Sequence, residues 1–493
     1  MFPILSVLVV LPAVGAGVLF LPQARARSRE IALFFALAEL VIAANLFLRF
    51  DRNQAGTIQF AEVHSWIPQI GTSWALGVNG IGLSLVVLSA ILVPLAILSA
   101  WRDDKVPQRR ATYLALVLAS QAFMVGIFAA RDVFLFYVLF EAMLIPMYFL
   151  IGSFGGLQRR YAAVKFLIFS LVGGLVMLVG VIALYVAGPG GKQGFLTDKL
   201  TGLSLSTTTE RLLFLAFFIA FAIKAPMFPV HTWLPSVAES ARPSTTALLV
   251  AVLDKVGTFG MLTLCLVLFP GAAQWAAPVI IVFAVISVLY GAILAIGQDN
   301  MLKLVSFTSV SHFGIMIIGI FAFAQTSVTG AALYMFNHGL STGALFFAVA
   351  YLAKRHGTVS VREFGGLQKI TPVLAGTCLI IGLSALSLPG LSPFISEILV
   401  FIGAYPVVPV AIWFAVVGVV LAALYILLTY KRVFTGPASE AMEGTRDLSV
   451  RERLVTWPLI AAMLVLGFLP GILLGVLHEP VHDIVTIVQE AGK

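Results

Sequence analysis

The stretch FAIKAPMFPVHTWLP, residues 221 to 235, sets Lys224 behind an apolar run from Leu212 to Ile223 and directly ahead of Pro226 and Pro229. A charge in the middle of a bilayer costs at least about 2.5–3.5 kcal/mol, and a proline inside a helix costs about 3 kcal/mol. A chain that keeps both side by side uses them. The setting makes the cost real: the 493 residues are 60% hydrophobic and 11% charged, with a mean hydropathy of +1.05, against roughly 45–50% apolar in soluble domains. The chain reads as an integral membrane protein.

A helix needs about 20 apolar residues to cross roughly 30 Å of hydrocarbon. Working outward from Lys224, apolar blocks of this kind lie near 3 to 22, 31 to 48, 76 to 100, 112 to 130, 132 to 153, 163 to 187, 211 to 236, 244 to 269, 275 to 296, 301 to 323, 327 to 352, 372 to 404, 407 to 430 and 455 to 477. None alternates with the two-residue period of barrel strands, so the expected fold is all-α, with about 14 transmembrane helices. The first block has no basic residue before it and Arg25, Arg27 and Arg29 after it, the reverse of a signal peptide, and reads as a permanent span. Loops after odd-numbered blocks hold 21 lysines and arginines and loops after even-numbered blocks hold 6. By the positive-inside rule both termini face the non-cytoplasmic side. Because the basic residues are spread over many short loops, the net charge of +8 needs no nucleic-acid partner.

Cys265 and Cys378 sit singly inside apolar blocks, which gives neither a disulfide framework nor an iron–sulfur or zinc site. GPGGKQG at 188 to 194 lacks Walker spacing and reads as a plain loop.

The informative residues are the ionisable ones inside blocks: Glu141, Lys224, Lys255 with Asp254 beside it, His312, His338 and Glu397. Such residues face a bundle interior or a hydrated cavity and serve transport or relay. Burial disfavours the charged form of acids and amines, which brings their titration toward neutrality, and histidine titrates near there unperturbed. That suits proton movement. Other readings stand beside it: Asp254 and Lys255 as snorkelling residues near a span end, the two histidines as neutral helix-locking residues or a metal pair, and Glu141 with Lys224 as one ion pair.

Breaks fall in the seventh block, at Pro226 and Pro229, and in the twelfth, at Pro389, Gly390 and Pro393. Broken spans in corresponding positions of two halves point to a transporter's ion path and to inverted repeats. The spacing predicts helices 1 to 3 over residues 1–105, two five-helix repeats, 106–270 (helices 4 to 8) and 271–433 (helices 9 to 13), and a loop, fourteenth helix and tail over 434–493. The tail HEPVHDIVTIVQEAGK fits an interfacial helix or a docking segment.

FYVLFEAMLIPMYFLIG, FAIKAPMFPVHTWLP, VLDKVGTFGM, QDNMLKLVSFTSVSHFGIMIIGI, FNHGLSTGALFF and LPGLSPFISEILVFIG together resemble, in order and spacing over roughly residues 75 to 430, the antiporter-like membrane subunits of respiratory NADH:quinone oxidoreductase, complex I. Glu397 stands where sister subunits and Mrp-type Na⁺/H⁺ antiporter chains usually carry lysine, which is similar to the chain M, or subunit 4, type. The resemblance implies proton translocation driven by redox energy from the peripheral arm. It makes Glu141 the essential glutamate of the fifth helix, Lys224 the lysine of the broken seventh, Lys255 the eighth-helix link to the central axis, His312 and His338 the central chain, and Glu397 the exit-side glutamate of the broken twelfth. It implies no cofactor here, with FMN, iron–sulfur clusters and quinone in partner subunits, other complex I membrane chains as partners, and a bacterial plasma membrane as the location. Rival readings are an Mrp-type cation/proton antiporter subunit, a hydrogenase-linked membrane subunit and a non-transporting scaffold. The chain departs from the family at WLPSVAESARPST, where an aspartate and a histidine are usual, and at Asn79, where an aspartate is common; the first departure puts in doubt a proton entrance through that loop.

Overall fold

A computed structural model describes residues 2–438 and 442–492 of the chain, and it is a bundle of antiparallel helices. The first three helices are α1 (Ile4–Phe20), α2 (Ser28–Arg49) and α3 (Gly80–Ser99). Next come α4 (Pro107–Ala129), α5 (Val133–Phe154), α6 (Arg159–Ala187), α7 (Thr207–Lys224) and α8 (Pro243–Leu268). They are followed by α9 (Pro270–Ile296), α10 (Met301–Phe321), α11 (Gln325–His356) and α12, which is split into Pro372–Ala385 and Ser392–Ala404. The last are α13 (Pro409–Phe434), α14 (Val450–Phe468) and α15 (Gly471–Ala491). Among the described residues ten helices are long and apolar enough to cross a membrane. The chain is a multi-pass membrane protein.

Helix starts follow side-chain chemistry. Asn79, Asp132, Ser206, Asn300 and Ser449 each accept backbone N–H groups of the first turn, of α3, α5, α7, α10 and α14 respectively, which relieves the unpaired donors at a helix N-terminus. Asp132 does double duty, because its carboxylate also accepts from the Thr72 hydroxyl and the Ser73 amide.

Those two residues belong to a feature that block-reading missed. Gln59–Ile67 (β1) and Thr72–Val78 (β2) pair as an antiparallel hairpin, so the chain is not wholly helical and the third span begins at Gly80 rather than near 76. Its alternation over HSWI and TSWALGV is too short to stand out against flanking apolar residues. Two further boundaries are corrected. The seventh block does not run helical to 236: α7 stops at Lys224, and a short helix, Trp233–Ser240, follows the break. The last block turns at Leu469 and Pro470, so 455 to 477 is not one span. The tail is the outer half of α15, which buries Leu473, Val476, Leu477, Val481, Ile484 and Val488 as one stripe. The Gly56 amide donates to Glu479, and the Gln325 and Gln274 side chains donate to the carbonyls of His478 and Val488. These partners lie at the ends of α2, α9 and α11, so α15 lies across the bundle end rather than through it. α1 starts at that same end, where Glu62 of β1 accepts from the Leu5 amide.

α8, α10 and α11 are buried on almost every side, whereas α2, α6, α9 and α13 leave much of their apolar surface outward. A helix buried all round belongs to the core, so polar residues on α8, α10 and α11 sit at the centre.

On the opposite end, Arg242 forks onto Asp104 at 2.6 and 3.0 Å and stacks on Tyr113 and Phe154. This ties the α3–α4 loop to the start of α8. Burial pushes the Asp104 carboxyl up, but hydrogen bonding and charge from Arg242, with the charge of Arg109, outweigh it and hold it below its ordinary value. A carboxyl depressed by folding stabilises above its unfolded pKa of about 3.9 and loses that contribution as pH falls through its folded value. Asp104→Asn is therefore expected to cost about 3 kcal/mol, as removal of one partner of a largely buried pair does, seen as a lower melting temperature in detergent at pH 7, with the gap to the unmodified chain closing below about pH 4. Equal melting temperatures at pH 7 would remove the latch from the account.

Candidate functional site

Both breaks leave backbone groups that the protein re-satisfies, as a bilayer demands. In the α7 break, between Lys224 and Trp233, the Phe228 amide donates to the Ser287 hydroxyl at 2.9 Å and the Trp233 indole donates to the Ile223 carbonyl at 3.0 Å. In the α12 break Pro389 and Gly390 make the turn, with Gly390 at φ 94°, a conformation open to glycine. Pro393 is a correction: it stands in the first turn of the second half-helix and starts it rather than breaking it. Asn337 of α11 donates to the Ser392 carbonyl at 2.9 Å and to the Ser396 hydroxyl at 2.8 Å, bracing that start.

The six ionisable residues fall along one path. Glu141 on α5 is half-buried, and its Oε1 is buried with no hydrogen-bond partner. It lies against α6 where Gly174 has no side chain; a Cβ there would sit 1.6 Å from Oε1. Lys224, fully buried, donates to Ser170 of α6 at 3.3 Å and lies over the rings of Phe140 and Phe166 at 5.1 and 5.0 Å. Glu141 and Lys224 interact by charge but form no ion pair within 4 Å among the described residues. The one-ion-pair reading fails, because Ser170 and two aromatic faces hold the ammonium instead.

Asp254 and Lys255 are both fully buried, so neither snorkels. α8 is distorted around them: the Asp254 amide bonds back five residues, to Leu249, at 2.9 Å. Such wide turns concentrate at functional sites. The Lys255 ammonium takes the Val250 carbonyl at 2.9 Å and donates to Nδ1 of His338 at 2.7 Å. With Nδ1 accepting, the proton of that ring is on Nε2, which faces the Thr342 hydroxyl at 3.1 Å. Asp254 has two buried oxygens without a partner and interacts by charge with both Lys224 and Lys255.

Beyond His338 the ring of His312 stands perpendicular at 5.3 Å, and Tyr334 lies 5.9 Å from His312 and 6.1 Å from His338. The Tyr334 hydroxyl donates to Glu397 of α12. Tyr334 is missing from the sequence reading, although in ALYMFNHG it precedes His338 by four residues, the spacing that shares a helix face. Glu39 was missed as well. It is fully buried in α2 against Gln121 of α4, and both its carboxylate oxygens and the Gln121 amide atoms lack partners. Among the described residues no three His, Cys, Asp or Glu side chains group as a metal site. What the row offers is hydrogen bonds and short gaps between groups that carry protons, from α8 to α12, with Lys224 and Glu141 at its other end.

Residues 130–423 match the family model described as NADH:quinone oxidoreductase/Mrp antiporter, TM. A Mycobacterium tuberculosis protein, NADH-quinone oxidoreductase subunit M, is 42% identical over 99% of this chain and 95% of its own. The chain belongs to the NADH:quinone oxidoreductase/Mrp antiporter transmembrane family. Within the family, a chain of the respiratory complex I from Thermus thermophilus with bound NADH superimposes with a TM-score of 0.90 at 30% identity, covering 98% of this chain and 99% of that one. A chain of the Mrp complex from Dietzia sp. shares the fold, with a TM-score of 0.87 at 21% identity over 99% of this chain and 98% of that one. The relatives are thus subunits of NADH-quinone oxidoreductase, an enzyme complex, and the breaks, the buried lysines and Glu397 of this chain all lie inside the matched region.

Proposed function

We propose that the chain is the proton-translocating subunit of a NADH:quinone oxidoreductase, moving protons along Glu141, Lys224, Lys255, His338, His312 and Glu397. The observation that carries this is the direct bond from Lys255 to His338, continued through Tyr334 to Glu397, because it joins helices of both halves. A proton taken by Lys224 is held by charge near Glu141 and Asp254; a shift in the Glu141 charge changes whether Lys224 keeps its proton, and the change passes to Lys255 through Asp254. Lys255 hands a proton to Nδ1 of His338, and His312 and Tyr334 lead to Glu397, the exit. Helices 4 to 8 and 9 to 13 act as two five-helix repeats, 106–270 and 271–433. The chain itself holds no redox centre; FMN, iron–sulfur clusters and quinone belong to partner subunits, and sister antiporter-like chains lie beside it. Basic loops put the Asp104–Arg242 end in the cytoplasm and both termini on the other side of a bacterial plasma membrane.

Purification in mild detergent, with mass spectrometry of the co-purified chains, tests the assignment. Flavin and iron–sulfur subunits are expected; recovery with antiporter chains alone would make this a secondary cation/proton exchanger, and nickel-binding partners would place it in a hydrogenase complex. Gly174→Ala tests the path. The inserted methyl displaces only the end of a flexible side chain, and alanine is the better helix former by up to about 1 kcal/mol. Thermal stability is expected to hold while NADH-driven pumping falls about tenfold, one decade of lost proton-transfer positioning. Full pumping by this variant would detach Glu141 from the path.

A further inference from the structure

A cavity of about 210 Å³ opens at the α15 end of the bundle, between the hairpin, the α4–α5 link and the last turns of α8. That is room for several waters at about 30 Å³ each. Its walls carry the Arg131–Asp198 ion pair, Asp483 of α15 and the Thr263 hydroxyl. Its inner wall is aromatic. Phe128 and Phe259 meet edge-to-face at 5.3 Å, and Phe136 packs on Phe221 at 5.9 Å. Along α8, Val267, Thr263 and Phe259 line the cavity at four-residue spacing, and the next residue on that row is Lys255. Four residues, about 6 Å of rise, therefore separate Phe259 from Lys255 along α8, and the lysine side chain runs on from there to the Val250 carbonyl and His338, so Phe259, paired with Phe128, stands on the cavity side of Lys255.

We propose that this cavity is a second, gated proton exit, through which Lys255 releases to the α15 end of the bundle when the Phe128–Phe259 pair parts. This rests on the proton-translocating reading given above. In the step, one N–H bond of the Lys255 ammonium breaks and its proton bonds to a cavity water, which leaves as hydronium; the neutral amine is reprotonated from the buried row. With the rings closed, the constriction is apolar and dry, which bars protons. The exit past Glu397 and this one then open from different halves of the chain, and the gate decides whether a proton reaching Lys255 continues to His338 or leaves.

The complex containing this chain, with Cys265 and Cys378 replaced by alanine and reconstituted in vesicles, tests this through single cysteines and a membrane-impermeant thiol reagent added on the α15 side. Thr263→Cys is expected to label, and Val256→Cys, two turns deeper, to stay unlabelled. Adding Phe259→Ala is expected to expose Val256→Cys at least tenfold faster and to collapse the NADH-generated pH gradient with quinone reduction retained, whereas Phe259→Leu keeps the gate shut. Where Phe259→Ala prevents assembly, Phe128→Ala removes the same ring pair from α4. A silent Thr263→Cys, or a Val256→Cys that stays silent with a full gradient after ring removal, overturns the proposal. Labelling does not depend on pumping, so a reconstituted complex that never pumps would defeat the translocation reading separately.

Discussion

Lys255→Ala is expected to abolish NADH-driven proton pumping and to depress quinone reduction by roughly a hundredfold, the low end of what a positioned proton-transfer group contributes. The side chain makes the one direct bond between α8 and α11 ionisable groups, to Nδ1 of His338, and it satisfies the Val250 carbonyl freed by the widened turn. Removing it leaves Asp254, whose two oxygens already lack a hydrogen-bond partner, with Lys224 as its remaining cationic neighbour. Lys255→Arg separates charge from transfer. A guanidinium keeps the positive charge next to Asp254 but does not give up a proton in a protein, so assembly is expected to be normal on a native gel while pumping stays absent. Pumping by the arginine variant at the native rate would mean that the residue acts as a fixed charge and not as a carrier.

Glu141→Gln carries the second large effect. Glutamine has the same shape, so the contact with Gly174 survives and the complex is expected to assemble. What disappears is one of the two negative charges that Lys224 feels, leaving Asp254 as the other, while the ammonium itself is held by Ser170 and two aromatic faces. Pumping is expected to vanish and electron transfer to slow at least about tenfold, measured with a pH-sensitive dye in vesicles and by quinone reduction. Glu141→Asp draws the carboxylate back by one methylene and should recover part of the rate. Loss of the assembled complex in both variants, instead of loss of pumping, would make the residue a structural brace.

Much of this was legible in the sequence for a simple reason: in a bilayer the penalty on charge and on broken backbone is so high that each exception is informative. Lys224 before two prolines, Lys255 in an apolar run and Glu397 after LPGLSPF announce themselves by residue type alone. Tyr334 does not, because an aromatic hydroxyl is cheap to bury and only its partner, Glu397, marks it as part of the row. Glu39 is an oversight of a different kind, a charge inside an apolar block on an outer helix, buried beside Gln121, a neighbour distant in sequence. Spacing could not have told that Glu141 and Lys224 stand apart, since that depends on Ser170 offering the ammonium a bond from α6. The hairpin escaped because its strands are short and hydropathy reports on long apolar runs, whereas the tail was read as an interfacial helix or a docking segment and only its contacts with Gly56, Gln274 and Gln325 place it across the bundle end.

α15 binds three separate points, the loop after α2, the first turns of α9 and the start of α11. It works as a lintel: with those ends fixed to one rigid bar, the two halves of the bundle are not free to tilt against each other on that face. Transporters that rock need a loose rim, and this chain has a braced one. On the proton-translocating reading proposed above, switching is then expected in side chains, ring flips and the filling and draining of small wet spaces, movements local enough to be driven from a distant reaction without the whole molecule changing shape.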